Sequence, residues 1–130
     1  MDRVLVDAPC SGSGSWRRKP DAKWRLTPES LINRGDDQRA VLARAAPLVK
    51  PGGRLIYVTC SLLPEENTDQ VAAFLTSNPD FRILAYAEVW GQCLPGDPPA
   101  SSDGSTDTLL LSPADHNVDG FFIAVMQRQG

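Results

Sequence analysis

The chain has 130 residues, with 42% hydrophobic and 22% charged, a composition that suits one globular domain and excludes a disordered segment. No apolar run approaches the roughly 20 residues needed to span a membrane, and Met1-Asp2-Arg3-Val4 is not a signal peptide, so neither a membrane span nor export is expected. Net charge is only −3, but residues 16–54 hold ten Lys/Arg against four acids, and residues 55–130 hold two against ten. A near-neutral total thus hides a basic segment suited to attracting phosphate, although a solvated helix face has the same composition.

Residues 3–8 read as a buried strand rich in Val and Leu. Residues 9–27 read as a loop dense in Gly, Ser, Pro and basic side chains. Thr27-Pro28-Glu29 is a helix start: Thr caps, Pro suits the first turn and Glu favours the positive helix end. Gly35 is expected to interrupt that helix, after which Val41, Leu42, Ala45, Leu48 and Val49 recur at helical spacing. Lys50-Pro51-Gly52-Gly53 turns the chain into a second strand at 54–60. Pro64-Glu65-Glu66 opens another helix, with Val71, Ala72, Phe74 and Leu75 on its apolar face, and Asn78-Pro79 ends it. A third strand is expected at 81–86, a loop at 91–107, a short apolar piece at 109–111 and a last strand at 120–127. This order predicts an α/β fold of parallel strands with an antiparallel ending made by the last two strands.

Two apolar strands, Val4-Leu5-Val6-Asp7-Ala8-Pro9-Cys10 and Arg54-Leu55-Ile56-Tyr57-Val58-Thr59-Cys60, each end in a cysteine. Ligands of open parallel sheets bind outside the carboxyl ends of the strands. If the two strands are neighbours, both thiols and the Asp7 carboxylate share one crevice, a combination suited to covalent chemistry. A free Cys is more often a small buried hydrophobe, but an acid closing an apolar strand needs a partner or a role. The third cysteine, Cys93, lies in a Gly/Pro-rich loop and reads as incidental. Three widely spaced cysteines are no disulfide framework and point to a reducing, cytoplasmic compartment. The absence of a C-x-x-C pair leaves no metal site expected.

Asp7-Ala8-Pro9-Cys10-Ser11-Gly12 and Thr59-Cys60-Ser61 resemble the fourth and sixth methyltransferase motifs of the Sun/NSUN-type (Fmu/RsmB-like) RNA cytosine-5 methyltransferases. The stretches Arg17-Arg18-Lys19-Pro20-Asp21, Lys23-Trp24-Arg25, Leu48-Val49-Lys50-Pro51-Gly52-Gly53 and Asp119-Gly120-Phe121-Phe122 are also similar to that family. The resemblance covers nearly the whole chain. It implies a Rossmann-like class I sheet, S-adenosylmethionine as methyl donor, and ribosomal or transfer RNA as substrate. It implies that Cys60 is the nucleophile that adds to carbon 6 of cytosine, that Cys10 assists its release, and that Asp7 steadies the base or lies beside the donor's methyl-bearing end. The base must be unpaired or flipped out to be reached. Pro9, Arg17, Arg18, Lys23 and Arg25 become candidate RNA contacts, and Trp16 and Trp24 candidate stacking platforms.

The family's donor-binding loop, Asp-x-x-Ala-x-Pro-Gly-Gly-Lys-Thr, has no counterpart among the 130 residues. The whole chain, 1–130, therefore reads as a partial catalytic domain, the C-terminal half, with no donor binding or activity expected of it alone. The strand at 3–8 would then have a bare edge, and self-association through it is expected. His116, the only histidine, is a candidate general base because its ordinary pKa suits neutral pH. Two other classes compete with the transferase reading. One is an RNA-binding or assembly fragment without turnover. The other is a cysteine hydrolase using Cys60, His116 and Asp119, which has no nucleophile signature to support it.

Overall fold

The structure, a computed structural model, describes residues 1–11, 13, 27–116 and 119–129. The basic stretch Arg17, Arg18, Lys19, Lys23 and Arg25, with Trp16 and Trp24, lies outside these described residues.

Strand β1 (Arg3–Asp7) pairs in parallel with β2 (Arg54–Thr59), so the two cysteine-bearing strands are neighbours. Their register follows from the turn between the long helix and β2. Gly52 has φ +83°, a conformation that costs glycine little. A Cβ on Gly53 would lie 2.9 Å from the Lys50 carbonyl and 3.0 Å from the carbonyls of Met1 and Asp2. The chain start packs there, with Lys50 N–H donating to the Met1 carbonyl at 2.9 Å and Arg54 N–H to the Asp2 carbonyl at 2.8 Å. Pairing therefore starts at Arg3 with Arg54 and ends at Asp7 with Val58, which brings both strands to the same rim of the sheet.

Helix α1 (Pro28–Ala45) starts at a capping box. Ser30 N–H donates to Thr27 Oγ1 at 3.0 Å, and Thr27 N–H donates to Ser30 Oγ at 2.8 Å. Gly35 does not interrupt it. The helix runs straight through, and the glycine is buried where a Cβ would stand 3.3 Å from Gln70 Nε2 of the next helix, α2 (Thr68–Ser77). Glycine there serves the close approach of two helices. The helix expected at Pro64-Glu65-Glu66 begins as a 3₁₀ turn over Pro64–Glu66, and α2 proper follows.

Strand β3 (Phe81–Leu84) is shorter than predicted. Helix α3 (Tyr86–Cys93) takes over the residues assigned to the end of that strand and the start of the loop. Strand β4 (Leu109–Leu111), the short helix α4 (Pro113–His116) and β5 (Phe121–Arg128) complete the chain. The antiparallel ending is present but is not an edge. β5 lies between β2 and β3 and is antiparallel to both, giving the order β1-β2-β5-β3. One edge of β5 pairs with β2 over residues 122–127. The other pairs with β4 over 121–123 and then with β3 over 125–128. Phe122, Ala124, Val125 and Met126 are buried, so this strand is apolar on successive residues and belongs in a sheet interior.

The core is one-sided. Val6, Leu55, Tyr57, Phe122, Ala124 and Met126 form one cluster with Leu42, Ala45 and Val49 and with Val71 and Phe74 of α2. Tyr57 meets Phe122 edge to face at 6.3 Å, and Phe74 meets Phe81 at 5.1 Å. On the opposite face of β1, Leu5 is 67% exposed. β1 is also an edge of the described sheet. Among the described residues, no helix is long and apolar enough to cross a membrane.

Candidate active site

Beyond the β1–β2 ladder, Ala8 N–H still donates to the Val58 carbonyl at 2.9 Å, so the two chains leave the sheet side by side. The Cys10 and Cys60 sulfurs consequently lie 3.3 Å apart, within hydrogen-bond distance, and both residues are half-buried. The Cys60 thiol is lowered from its ordinary 9 to about 7. The main cause is the hydrogen bond from Cys10, supported by a backbone hydrogen bond; burial and the nearby negative charges of Asp7 and Glu66 act against it. Either sulfur can be the donor; when Cys60 is the ionised member, Cys10 S–H donates to it. A thiol lowered in this way holds more thiolate near neutral pH than an ordinary one. Asp7 is exposed at the end of β1 and close enough to act on Cys60 through its charge.

A buried polar knot holds this pair. Glu66 is fully buried, and each carboxylate oxygen accepts two hydrogen bonds. Oε1 accepts from Ser11 Oγ at 2.5 Å and from Ser61 Oγ at 2.6 Å. Oε2 accepts from Ser11 N–H at 2.8 Å and from Gln38 Nε2 at 3.0 Å. Gln38 Nε2 also donates to the Pro9 carbonyl at 2.9 Å, so that carbonyl is engaged within the protein. Ser13 and Ser61 hydroxyls bond at 3.1 Å, and Ser13 Oγ accepts from Leu62 N–H at 2.7 Å. Below Cys60, Thr59 Oγ1 donates to Asn67 Oδ1 at 2.6 Å, and Asn67 Nδ2 returns a bond to the Ser61 carbonyl at 2.8 Å. Tyr57 donates to the Glu66 carbonyl at 2.7 Å, and burial pushes its phenol well above the usual range.

Sequence reasoning found Cys10, Cys60 and Asp7, and the structure brings all three to one rim. It missed Glu66, Ser11, Ser61, Gln38 and Asn67. Glu66 was legible only as a first-turn helix acid. The available signal was Gln38: it shares a helical stripe with Leu42 and Ala45, and a polar side chain on an apolar stripe needs a buried partner. His116 is placed otherwise than a general base requires. Ser112 N–H donates to its Nδ1 at 3.2 Å, which fixes the Nε2–H tautomer, and that N–H donates to the Ala100 carbonyl at 2.8 Å. Both ring nitrogens are thus spent on loop structure. Among the described residues no group of His, Cys, Asp or Glu is arranged to hold a metal ion. A cavity of about 230 Å³ opens between α1 and α2, lined by Arg39, Leu42 and Phe74 among others, but it shares no residue with the cysteine loops.

Four strands, β1 to β4, run in one direction with the inverted β5 set among them, and two thiols lie at the carboxyl rim of β1 and β2, the arrangement of a Rossmann-like methyltransferase sheet. A family described as 16S rRNA methyltransferase RsmB/F matches residues 1–127, and the chain belongs to that family. It is 38% identical over 129 residues to ribosomal RNA small subunit methyltransferase B of Vibrio cholerae, covering 99% of this chain and 26% of the relative. The crystal structure of PH0851 superposes with a TM-score of 0.84 at 35% identity, over 98% of this chain and 27% of that one. A methyltransferase homolog protein from Pyrococcus horikoshii superposes with a TM-score of 0.71 at 30% identity, over 98% and 39%. The chain spans about a quarter of the length of the curated relatives it matches.

Proposed function

We propose that this chain carries the covalent machinery of an S-adenosylmethionine-dependent RNA cytosine-5 methyltransferase acting on ribosomal RNA. The observation that carries the proposal is the pair of thiols 3.3 Å apart with Cys60 lowered to about 7. Carbon 5 of cytosine is a poor nucleophile until a thiolate adds to carbon 6. The Cys60 thiolate forms that carbon–sulfur bond, and the electron pair of the 5,6 double bond becomes available at carbon 5. Asp7, at the same rim, orients the base near ring nitrogen 3 and its amino group. Once carbon 5 carries its methyl group, water takes the carbon-5 proton, the electrons of that C–H bond restore the 5,6 double bond, and the carbon–sulfur bond breaks. Its electrons leave with the Cys60 sulfur, where the Cys10 S–H is placed to stabilise the departing thiolate by the same hydrogen bond.

S-adenosylmethionine, when bound, supplies an electrophilic methyl group on a sulfonium. Among the described residues Asp7 fits it best, since an exposed carboxylate beside the thiols complements a sulfonium charge. The sequence contains no Pro-Gly-Gly-Lys donor loop, and we propose that residues 1–130 are a partial catalytic domain, inactive alone. Arg17, Arg18, Lys23 and Arg25 are the proposed phosphate contacts. RNA is the partner class named by the relatives. We also propose self-association through strand 3–8, whose β1 is an edge of the described sheet, which solution scattering over a concentration series checks; a monomer throughout contradicts it.

The test uses RNA bearing 5-fluorocytosine, with S-adenosylmethionine and the donor-binding half of a relative supplied in trans. A covalent protein–RNA band that survives denaturation and vanishes in Cys60→Ala supports the proposal. An adduct that persists in Cys60→Ala, or never forms while methyl transfer proceeds, contradicts it.

A further inference from the structure

We infer that Glu66 is a positioning residue: its buried carboxylate clamps the loop after β1 to the loop after β2 and so sets the contact between the two thiols. The inference rests on the reading of Cys60 as the reactive cysteine. Its basis is connectivity. Ser11 follows Cys10 and Ser61 follows Cys60, and both serine hydroxyls meet on the same oxygen of Glu66. The other oxygen takes Ser11 N–H and the Gln38 amide, which also grips the Pro9 carbonyl just before Cys10. Ser11 and Ser61 are thereby tied to one carboxylate lying between the loops, and Pro9 is tied to it through Gln38. An ionised carboxylate suits this place because it presents only acceptors to four donors. Charge-assisted bonds in a dry setting are also stiffer than their neutral equivalents.

A second fact separates positioning from plain electrostatics. The negative charge of Glu66 opposes ionisation of Cys60, whereas the Cys10 hydrogen bond favours it. If Glu66 acted only as a charge, removing it would make Cys60 more acidic. If it acts as a clamp, removing it loosens the Cys10–Cys60 contact and makes Cys60 less acidic. The two roles therefore move one observable in opposite directions. Glu66→Ala and Glu66→Gln both delete the charge, but only Gln can still accept from Ser11 N–H and the Gln38 amide at one oxygen while the two serine hydroxyls rotate to accept from its own amide.

The experiment maps iodoacetamide alkylation of Cys60 by peptide mass across pH 5.5 to 10, with circular dichroism to establish folding. In Glu66→Ala the midpoint for Cys60 rises, and a rise of one unit slows alkylation at pH 7 about fivefold. In Glu66→Gln it stays at or below the wild-type midpoint. On a Cys10→Ala background the Ala and Gln variants no longer differ. Should Glu66→Ala fail to fold, Ser11→Ala removes one of the four donors and shifts Cys60 upward by a smaller amount. Equal shifts in Ala and Gln, a downward shift in Ala, no shift in a folded Ser11→Ala, or an Ala-specific shift that survives without Cys10 each overturn the inference. A wild-type Cys60 midpoint near 9 overturns the reading of Cys60 itself, before any Glu66 variant is considered.

Discussion

Two polar loop clusters sit on this molecule, and they differ in what burial does to them. Around Glu66, a carboxylate with no solvent exposure collects four donors from three parts of the chain. Around His116, the loop from Ala100 to Ser112 is stitched by Ser101, Ser102, Asp103 and Ser105, mostly at the surface. Both are well hydrogen-bonded, yet only the buried one perturbs a neighbouring thiol. Low local polarity makes each bond in the first cluster stronger and each loss more costly, whereas water replaces lost bonds in the second. Burial beside a thiol, rather than the number of hydrogen bonds, distinguishes the first cluster from the second.

Substitutions sharpen the contrast in a definite order. Glu66→Ala leaves several buried donors unsatisfied and should cost about 2–4 kcal/mol in urea unfolding. Tyr57→Phe removes one buried bond to the Glu66 carbonyl and should cost about 1 kcal/mol. His116→Ala should cost under about 1 kcal/mol and leave the Cys60 alkylation profile unchanged, because its bonds close an exposed loop. Arg39→Ala, which removes an exposed i,i+3 pair with Asp36, should stay within about 0.5 kcal/mol. An effect of His116→Ala as large as that of Glu66→Ala would break the comparison.

The pH dependence separates the clusters as well. Cys60 ionises more readily folded than unfolded, so between about pH 7 and 9 the unfolded state holds more protons at this group. Its contribution is complete above the ordinary thiol value and is lost as pH falls through about 7. Wild type should therefore gain thermal stability relative to Cys60→Ser as pH rises from 7 to 9, by a modest amount because the group is half-exposed. Melting curves of the two proteins across that range check the sign.

The strand pairing and the thiol pair were legible because they depend on local signals. Val/Leu-rich strands, the Gly52-Gly53 turn and two strand-end cysteines all stand in short stretches of chain. Gly35 misled because a helical glycine reads as a break, when its purpose is a neighbour 35 residues away, Gln70. The position of β5 was hidden for a related reason. Sequence order places it last, but its pairing with β2 along one edge and β3 along the other puts it between them. Glu66 was hidden most completely, since a buried acid and a first-turn acid look alike until the donors of Ser11, Gln38 and Ser61 are seen to converge on it.

On the proposed mechanism Cys10 and Cys60 are unequal, and it is Cys10 that makes Cys60 reactive. The most direct measurement is the alkylation midpoint of each cysteine, resolved by peptide mass, in wild type and in Cys10→Ala. The account predicts a Cys60 midpoint near 7 that moves up toward 9 when Cys10 is lost. A Cys60 midpoint near 9 in wild type, or one that ignores the loss of Cys10, would contradict it.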